Sequence, residues 1–491
     1  MMLSILLIVP LLGALTVACL PDRTRSIAFA VSFIVLGLTV LLLTQFNLND
    51  PGMQFVENYT WIDTLGLSYR VGVDGLSLPL LALNSLLTVI AIYSSDEKIE
   101  RPRLYYTLIL ILNAAVSGVF LAQDLLLFFI AYELELIPLY LLIAIWGGQK
   151  RAYAATKFLI YTAFSGALLL AAFLGLAWFG GSSSFTYDPA LAQALPIGQQ
   201  LLLLGALLLG FGIKMPLFPF HTWLPDAHVE ASTPISVLLA GVLLKLATYG
   251  ILRFCVGLFP EAWQIAAPWL SYWAIVSVLY GALMAIAQTD MKKMVAYSSV
   301  SHMGYILLAA AANTPLSFSA AMIQMVSHGL ISAALFLCVG VVYKKTQTRD
   351  IRILEGLLNP ERGMPVIGSL MILGVMASAG IPGMVGFVAE FLIFRSSFPV
   401  FPIQTLLCTI GTGLTAVYYL LLINKAFFGR LSLQVQNLES VTWRERYPAM
   451  ILTVAIVLFG FQPGWITRWS EPTIAATLNH PPAIVATQII K

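Results

Sequence analysis

Apolar runs longer than about 18 residues, with few or no charges, recur along the whole chain, and each can cross a bilayer. That feature decides the fold class before any motif is read. Inside hydrocarbon the backbone must satisfy its own hydrogen bonds, which leaves helices as the solution for runs of this length. Of the 491 residues, 59% are hydrophobic and 10% charged, and mean hydropathy is +0.89. The chain therefore reads as an all-α polytopic membrane protein, one helical body rather than a set of soluble domains. The first run, MMLSILLIVPLLGALTVACL, lacks the charged leader of a signal peptide and a second run follows at once, so it reads as an uncleaved first helix.

Hydropathy gives fourteen spans, at about 2–20, 27–46, 76–95, 104–122, 124–147, 155–180, 199–223, 233–256, 267–288, 292–312, 315–343, 364–397, 402–428 and 446–463. Residues 47–75 read as a loop rich in aromatics and acids, and 464–491 as a short tail. Basic residues test this count. Loops after odd-numbered spans carry 19 Lys and Arg, and loops after even-numbered spans carry 3, namely Arg70, Arg253 and Arg395. The bias places the odd loops on the cytoplasmic side and both termini on the opposite, lumenal or periplasmic, side.

Span seven is not a simple helix. It reads QQLLLLGALLLGFGIKMPLFPFHTWLPDAHVEASTP, with Lys214 inside the apolar region, breaks at Pro216 and Pro219, and then His221, Asp226, His228 and Glu230. A lysine at that depth costs about 2.5–3.5 kcal/mol on insertion scales, so it marks a wet, protein-lined path. Span twelve, with SAGIPGMVGFVAEF, is broken in the same way before Glu390. The two broken spans lie five apart. Two five-helix units, spans 4–8 and 9–13, put them in matching positions, and an odd unit length turns the second copy upside down. That is an inverted repeat of the kind that brackets an ion site. The expected organisation is 1–103 for the leading helices, 104–256 and 257–430 for the two repeats, and 431–491 for the last helix and tail.

Five ionisable groups fall at membrane depth: Glu133 and Glu135 in span five, Lys214, Lys245 in ISVLLAGVLLKLATYGIL, and Glu390. Unpaired, they would cost roughly 12–18 kcal/mol together. Glu133 and Lys214 make an expected pair. Burial disfavours both charges and proximity restores them, so pulling them apart frees a proton. Glu135 lies about 200° round the helix from Glu133, so the two line one path only if the helix distorts. His302 (SSVSHMGY) and His328 (MVSHGLIS) add titratable rings between Lys245 and Glu390 in chain order. The resulting relay is Glu133, Lys214, Lys245, His302, His328 and Glu390, with His221, Asp226 and His228 as an access path or hinge. No metal is expected, since the spacing of His221, His228, Asp226 and Glu230 fits no zinc pattern. The single cysteines 19, 255, 338 and 408 show neither CxxC nor cluster spacing, and the chain carries no GxGxxG or Walker motif. No cofactor is therefore expected in this chain.

Four motifs together, FFIAYELELIPLYLLIAIWGG, GIKMPLFPFHTWLPDAHVEASTP, MKKMVAYSSVSHMGY and GIPGMVGFVAEF, resemble those of the antiporter-like membrane subunits of respiratory complex I. The chain is most similar to their chain 4 (M-type) group, in the form found in cyanobacterial and chloroplast NAD(P)H–plastoquinone dehydrogenases. The resemblance implies fourteen helices around a hydrophilic axis, with Glu133, Lys214, Lys245 and Glu390 in the family's axial positions. L- and N-type subunits carry lysine where Glu390 stands. It further implies proton translocation coupled to quinone reduction elsewhere in the complex. The implied partners are other antiporter-like and small membrane-arm subunits and a peripheral arm, with the iron–sulfur clusters and plastoquinone in those partners. Nucleic acid is not among the partners. Some variants of this cyanobacterial form serve carbon dioxide uptake. The implied setting is a cyanobacterial thylakoid or bacterial inner membrane. A subunit of a multi-subunit sodium/proton antiporter is the alternative, since it shares the fold and the charges.

Overall fold

The structure, a computed structural model, describes residues 1–20, 23–361, 363–430, 432 and 438–478. Arg362, one of the 19 basic residues of the odd loops, and the end of the tail lie outside these residues. Helices α1 (Met2–Cys19) and α2 (Thr24–Gln45) lead in, followed by an antiparallel hairpin, β1 (Gln54–Ile62) and β2 (Leu67–Val73). Then come α3 (Leu78–Ser94), α4 (Pro102–Leu121), α5 (Leu125–Leu134), α6 (Leu136–Trp146), α7 (Arg151–Gly180), the short α8 (Pro189–Gln193) and α9 (Ile197–Lys214). After a break, α10 (Trp223–Glu230) leads to α11 (Thr233–Leu238) and α12 (Leu244–Gly250). The second half holds α13 (Pro260–Ile286), α14 (Met291–Ala312), α15 (Pro315–Thr346), α16 (Pro365–Ser378) and α17 (Val385–Ser397). It closes with α18 (Pro402–Ala426), α19 (Trp443–Phe461) and α20 (Gly464–Thr477).

The helix starts follow from local chemistry. Prolines 102, 260, 315, 365 and 402 open five helices, where a missing amide hydrogen costs nothing. Asp124 accepts from the Leu126 and Leu127 amides at the start of α5, and Asp290 does the same for Lys292 and Lys293 at α14. Among the described residues, eleven helical segments are long and apolar enough to cross a membrane alone, or twelve with the bent pair α19 and α20. Burial of their most apolar 18-residue stretches sorts them: 100% within Thr233–Val256, 94% in α14 and 89% in α15, against 28–39% in α1, α2, α7 and α18. The first three make the axis, and the others present apolar faces outward.

Several expected elements take another form. The 47–75 loop holds the β1–β2 hairpin, with Tyr59 opposite Tyr69 and a left-handed turn at Gly66. Strand alternation was hidden there by short length and mixed polarity. The tail begins as α20, which is bent 65° from α19. Span five is two helices. Pro138 has no amide hydrogen to give the Leu134 carbonyl, and the chain turns at Glu135. Span eight is not a plain α-helix either. Two π-helical turns, Leu239–Leu243 and Ile251–Val256, flank α12. Both expected breaks are present. The helix stops at Lys214 and resumes as a tight turn at Phe220, and α16 and α17 are separated by residues 379–384. There Gly380 (φ +71°) and Gly383 (φ +91°) hold backbone that other residues rarely adopt.

Candidate functional site

Lys214 forms its ion pair with Glu135, not with Glu133 as the sequence suggested. Tyr132 and Glu135 are three residues apart and so share a face of span five, and both meet Lys214. Both members of the ion pair are buried, at 1% and 0% exposure. The Lys214 ammonium also sits 3.3 Å from the centre of the Tyr132 ring and 3.4 Å from the Tyr132 carbonyl. A cation over a desolvated ring gains up to about 2 kcal/mol. Glu133 is only half-buried and lies against Gly166 of α7, where any added side chain would run into its carboxylate. Its Oε1 is buried with no hydrogen-bond partner among the described residues. It stands next to the pair rather than in it.

The second cluster is continuous. Lys245, between the two π-turns, lies with Nζ 2.6 Å from the Ala240 carbonyl and 2.8 Å from His328 Nδ1. The His328 and His302 rings are 5.4 Å apart, and His302 Nε2 is 3.5 Å from Glu390 Oε1. His302 Nδ1 is fixed 2.7 Å from the Ser298 carbonyl, and the Thr412 hydroxyl donates to Glu390 at 2.8 Å. None of Lys245, His328, His302 and Glu390 exceeds 4% exposure. A small cavity of about 10 Å³, lined by His302, Gln324, Ser327, His328, Ser378 and Glu390, has room for one water. His328 Nε2 and Gln324 Oε1 have no hydrogen-bond partner among the described residues. Close packing here depends on Gly386, where a side chain would meet the Ala377 carbonyl of α16.

No hydrogen bond or ion pair among the described residues joins Lys214 to Lys245, so the two clusters are separate in this conformation. The expected access residues divide. Asp226 accepts from Lys157 at 2.8 Å near the surface. His221 is buried against Phe218 and the edge of Tyr280, and His228 is buried and stacked 4.6 Å from Phe336. Neither histidine's ring nitrogens have partners among the described residues. No group of three His, Cys, Asp or Glu among the described residues is placed to hold a metal ion.

The sequence reading missed two buried cations. Arg253, counted in a loop, is buried and paired with Asp74, with its guanidinium beside Tyr249 and Tyr187. Lys292, also counted in a loop, is 5% exposed and donates to the Ala231 carbonyl at 2.5 Å. Tyr132, Thr412 and Ser378 were missed as well, although Tyr132 adjoins Glu133 in the sequence.

Buried groups able to change between charged and neutral forms, set close together with room for a water between the two histidines and Glu390, can pass a proton without exposing it to lipid. The family described as "NADH:quinone oxidoreductase/Mrp antiporter, TM" matches residues 122–415. NAD(P)H-quinone oxidoreductase chain 4 1 of Synechococcus sp. (strain JA-2-3B'a(2-13)) is 40% identical, covering 100% of this chain and 94% of its own. Chain 4-2 of Synechocystis sp. (strain ATCC 27184 / PCC 6803 / Kazusa) is 42% identical over 89% of this chain and 80% of its own. Among solved structures, a chain of respiratory complex I from Thermus thermophilus superimposes with a TM-score of 0.88 at 27% identity, covering 98% of this chain and 99% of that one. A chain of the Mrp complex from Dietzia sp. DQ12-45-1b reaches the same TM-score at 22% identity, covering 97% of each, which is a likeness of fold. The chain belongs to the NADH:quinone oxidoreductase/Mrp antiporter transmembrane family, and within it to the chain 4 subunits of NAD(P)H-quinone oxidoreductase.

Proposed function

We propose that this chain moves protons through its buried axis while a partner subunit reduces quinone. The observation that carries the reading is the buried row from Lys245 through His328 and His302, whose rings lie 5.4 Å apart, to Glu390. Lys214 holds its proton against Glu135, and Glu133 stands by as a second acceptor for the same ammonium. Quinone reduction elsewhere shifts Lys214 between the two carboxylates. In the exchange Lys214 releases a proton to Lys245, and His328 and His302 hand it to Glu390 for release. His221, Asp226 and His228 line the approach.

The same reading extends to setting and architecture. Adding α3 and the broken α16–α17 segment to the twelve spans gives fourteen, and the two breaks beside buried charges support two inverted five-helix repeats. The excess of basic residues on one set of loops supports a cytoplasmic face there, with both termini on the other side. The cyanobacterial relatives support a thylakoid location. On this reading the acceptor is plastoquinone, the iron–sulfur clusters lie in a peripheral arm, and related antiporter-like subunits stand alongside in the membrane. Near-full-length identity to chain 4 subunits favours this over a sodium/proton antiporter. Purification with quinone-reducing partners distinguishes the two.

The test is Lys214→Ala in the intact complex. Proton pumping and coupled quinone reduction should be lost while the complex still assembles. Full coupled activity in an assembled variant would refute the reading.

A further inference from the structure

We propose that Lys292 is a proton-loading residue that feeds Lys245 through His228, giving the second cluster an entrance independent of Lys214. The inference rests on the reading above, that Lys245 and the histidines carry protons.

Lys292 is the second residue of α14, yet it is 5% exposed. Its ammonium has no carboxylate within ion-pair distance among the described residues. The nearby acids are engaged elsewhere. Asp290 caps α14 and pairs with Arg349 at 3.2 Å, and Glu230 accepts from the Lys150 amide at 2.8 Å. Arg349 also donates to the Val229 carbonyl at 2.9 Å. A buried ammonium held by one carbonyl is a costly way to anchor a loop. The same hydrogen bond could come from a neutral donor.

The carbonyl it holds belongs to Ala231, the residue that ends α10, three positions after His228. His228 is fully buried and stacks on Phe336, and both ring nitrogens lack partners among the described residues. Phe336, Ser332 and His328 follow one another at intervals of four on α15, which makes them one stripe along the helix. The Ser332 hydroxyl donates to the His328 carbonyl at 2.6 Å, and His328 Nδ1 lies 2.8 Å from Lys245. His228 is within electrostatic reach of both Lys292 and Lys245. The stripe thus runs from the basic-loop end of the bundle to the middle of the axis.

A neutral imidazole accepts at one nitrogen and donates from the other, so an uncommitted ring is suited to relay. In the proposed step the Lys292 ammonium swings from the Ala231 carbonyl and gives a proton to one His228 nitrogen. The other nitrogen releases a proton to neutral Lys245. Neutral Lys292 takes its next proton from water at the rim, so charge and protons balance.

The test uses the whole complex in proteoliposomes. Lys292→Arg keeps a cation and a donor for the Ala231 carbonyl, but a guanidinium does not give up its proton. An anchoring role survives that exchange and a loading role does not. The complex should assemble at normal abundance, with proton pumping coupled to quinone reduction slowed about a hundredfold, the lower end of what one proton-transfer group supplies. His228→Gln should give the same loss, and it decides the matter if Lys292→Arg fails to assemble. Wild-type pumping by either assembled variant overturns the proposal. Lys214→Ala and Lys245→Ala run alongside. If these lose pumping while Lys292→Arg and His228→Gln keep it, the loading route alone fails. If all four pump normally, the wider reading fails with it.

Discussion

Replacing Glu135 with glutamine separates the roles of the two carboxylates beside Lys214. Glutamine keeps the size and a carbonyl acceptor and removes the charge. The pair it breaks is buried on both sides, at 0% and 1% exposure, and losing one member of such a pair costs about 3–5 kcal/mol. The Tyr132 ring and carbonyl remain in place, but they serve Lys214 before and after the change and offset nothing. Glu133 is the one nearby anion able to take over, which favours the lower figure. A loss of about 3 kcal/mol from the step that holds the proton on Lys214 corresponds to slightly over a hundredfold in rate. The assay is proton uptake coupled to quinone reduction in vesicles, normalised to complex abundance. Glu135→Gln should pump on the order of a hundredfold slower and assemble at reduced abundance. Glu133→Gln leaves the observed ion pair intact, so it should spare assembly and affect pumping alone. Wild-type pumping and abundance in Glu135→Gln, with Glu133→Gln destabilised instead, would refute the pairing.

Two further outcomes follow from groups at the ends of the bundle. Arg253→Met strands Asp74, which is 1% exposed, and should cost about 3–5 kcal/mol. The thermal midpoint of the complex should fall and be largely restored by adding Asp74→Asn, and an unchanged midpoint in the single variant would refute the ion pair. Burial pushes the Asp124 carboxyl above the usual aspartate value, against the opposing effect of the Leu127, Ser68 and Leu126 amides. Its protonation then stabilises the fold most below the unfolded value of about 3.9, and that contribution is lost as pH rises through the raised folded value. The asparagine introduced by Asp124→Asn still caps α5 but does not titrate. Amide exchange across 125–134 should therefore speed up with pH over that interval more in the native chain than in the variant, once the intrinsic exchange rate is divided out. Equal trends would refute it.

The membrane class, both helix breaks and the second cluster were legible because each rests on a short stretch of sequence. Lys245, His302, His328 and Glu390 each stand out within their own apolar run, where a lysine, histidine or glutamate cannot be overlooked. The Lys214 partner was misjudged because the angle between Glu133 and Glu135 says that one of them faces the lysine but not which one, and the face shared by Tyr132 and Glu135 is settled only by helix packing. Asp74 and Arg253 are 179 residues apart, and only the folded hairpin brings them together. The burial of Lys292 depends on how deep α14 begins, a matter of packing that hydropathy does not report.

The π-helical turns around Lys245 also bear on how this stretch is drawn. Each wide turn inserts about one residue beyond the ordinary helical repeat, and so rotates everything after it by about 100°. A helical wheel through 233–256 is true up to Leu238, one notch out from Lys245 onward, and drifts toward a second notch across Ile251–Val256. Residues that the wheel assigns to lipid beyond Leu243 belong to the protein interior. The segment's complete burial, which its uniform hydropathy conceals, accords with that change of phase.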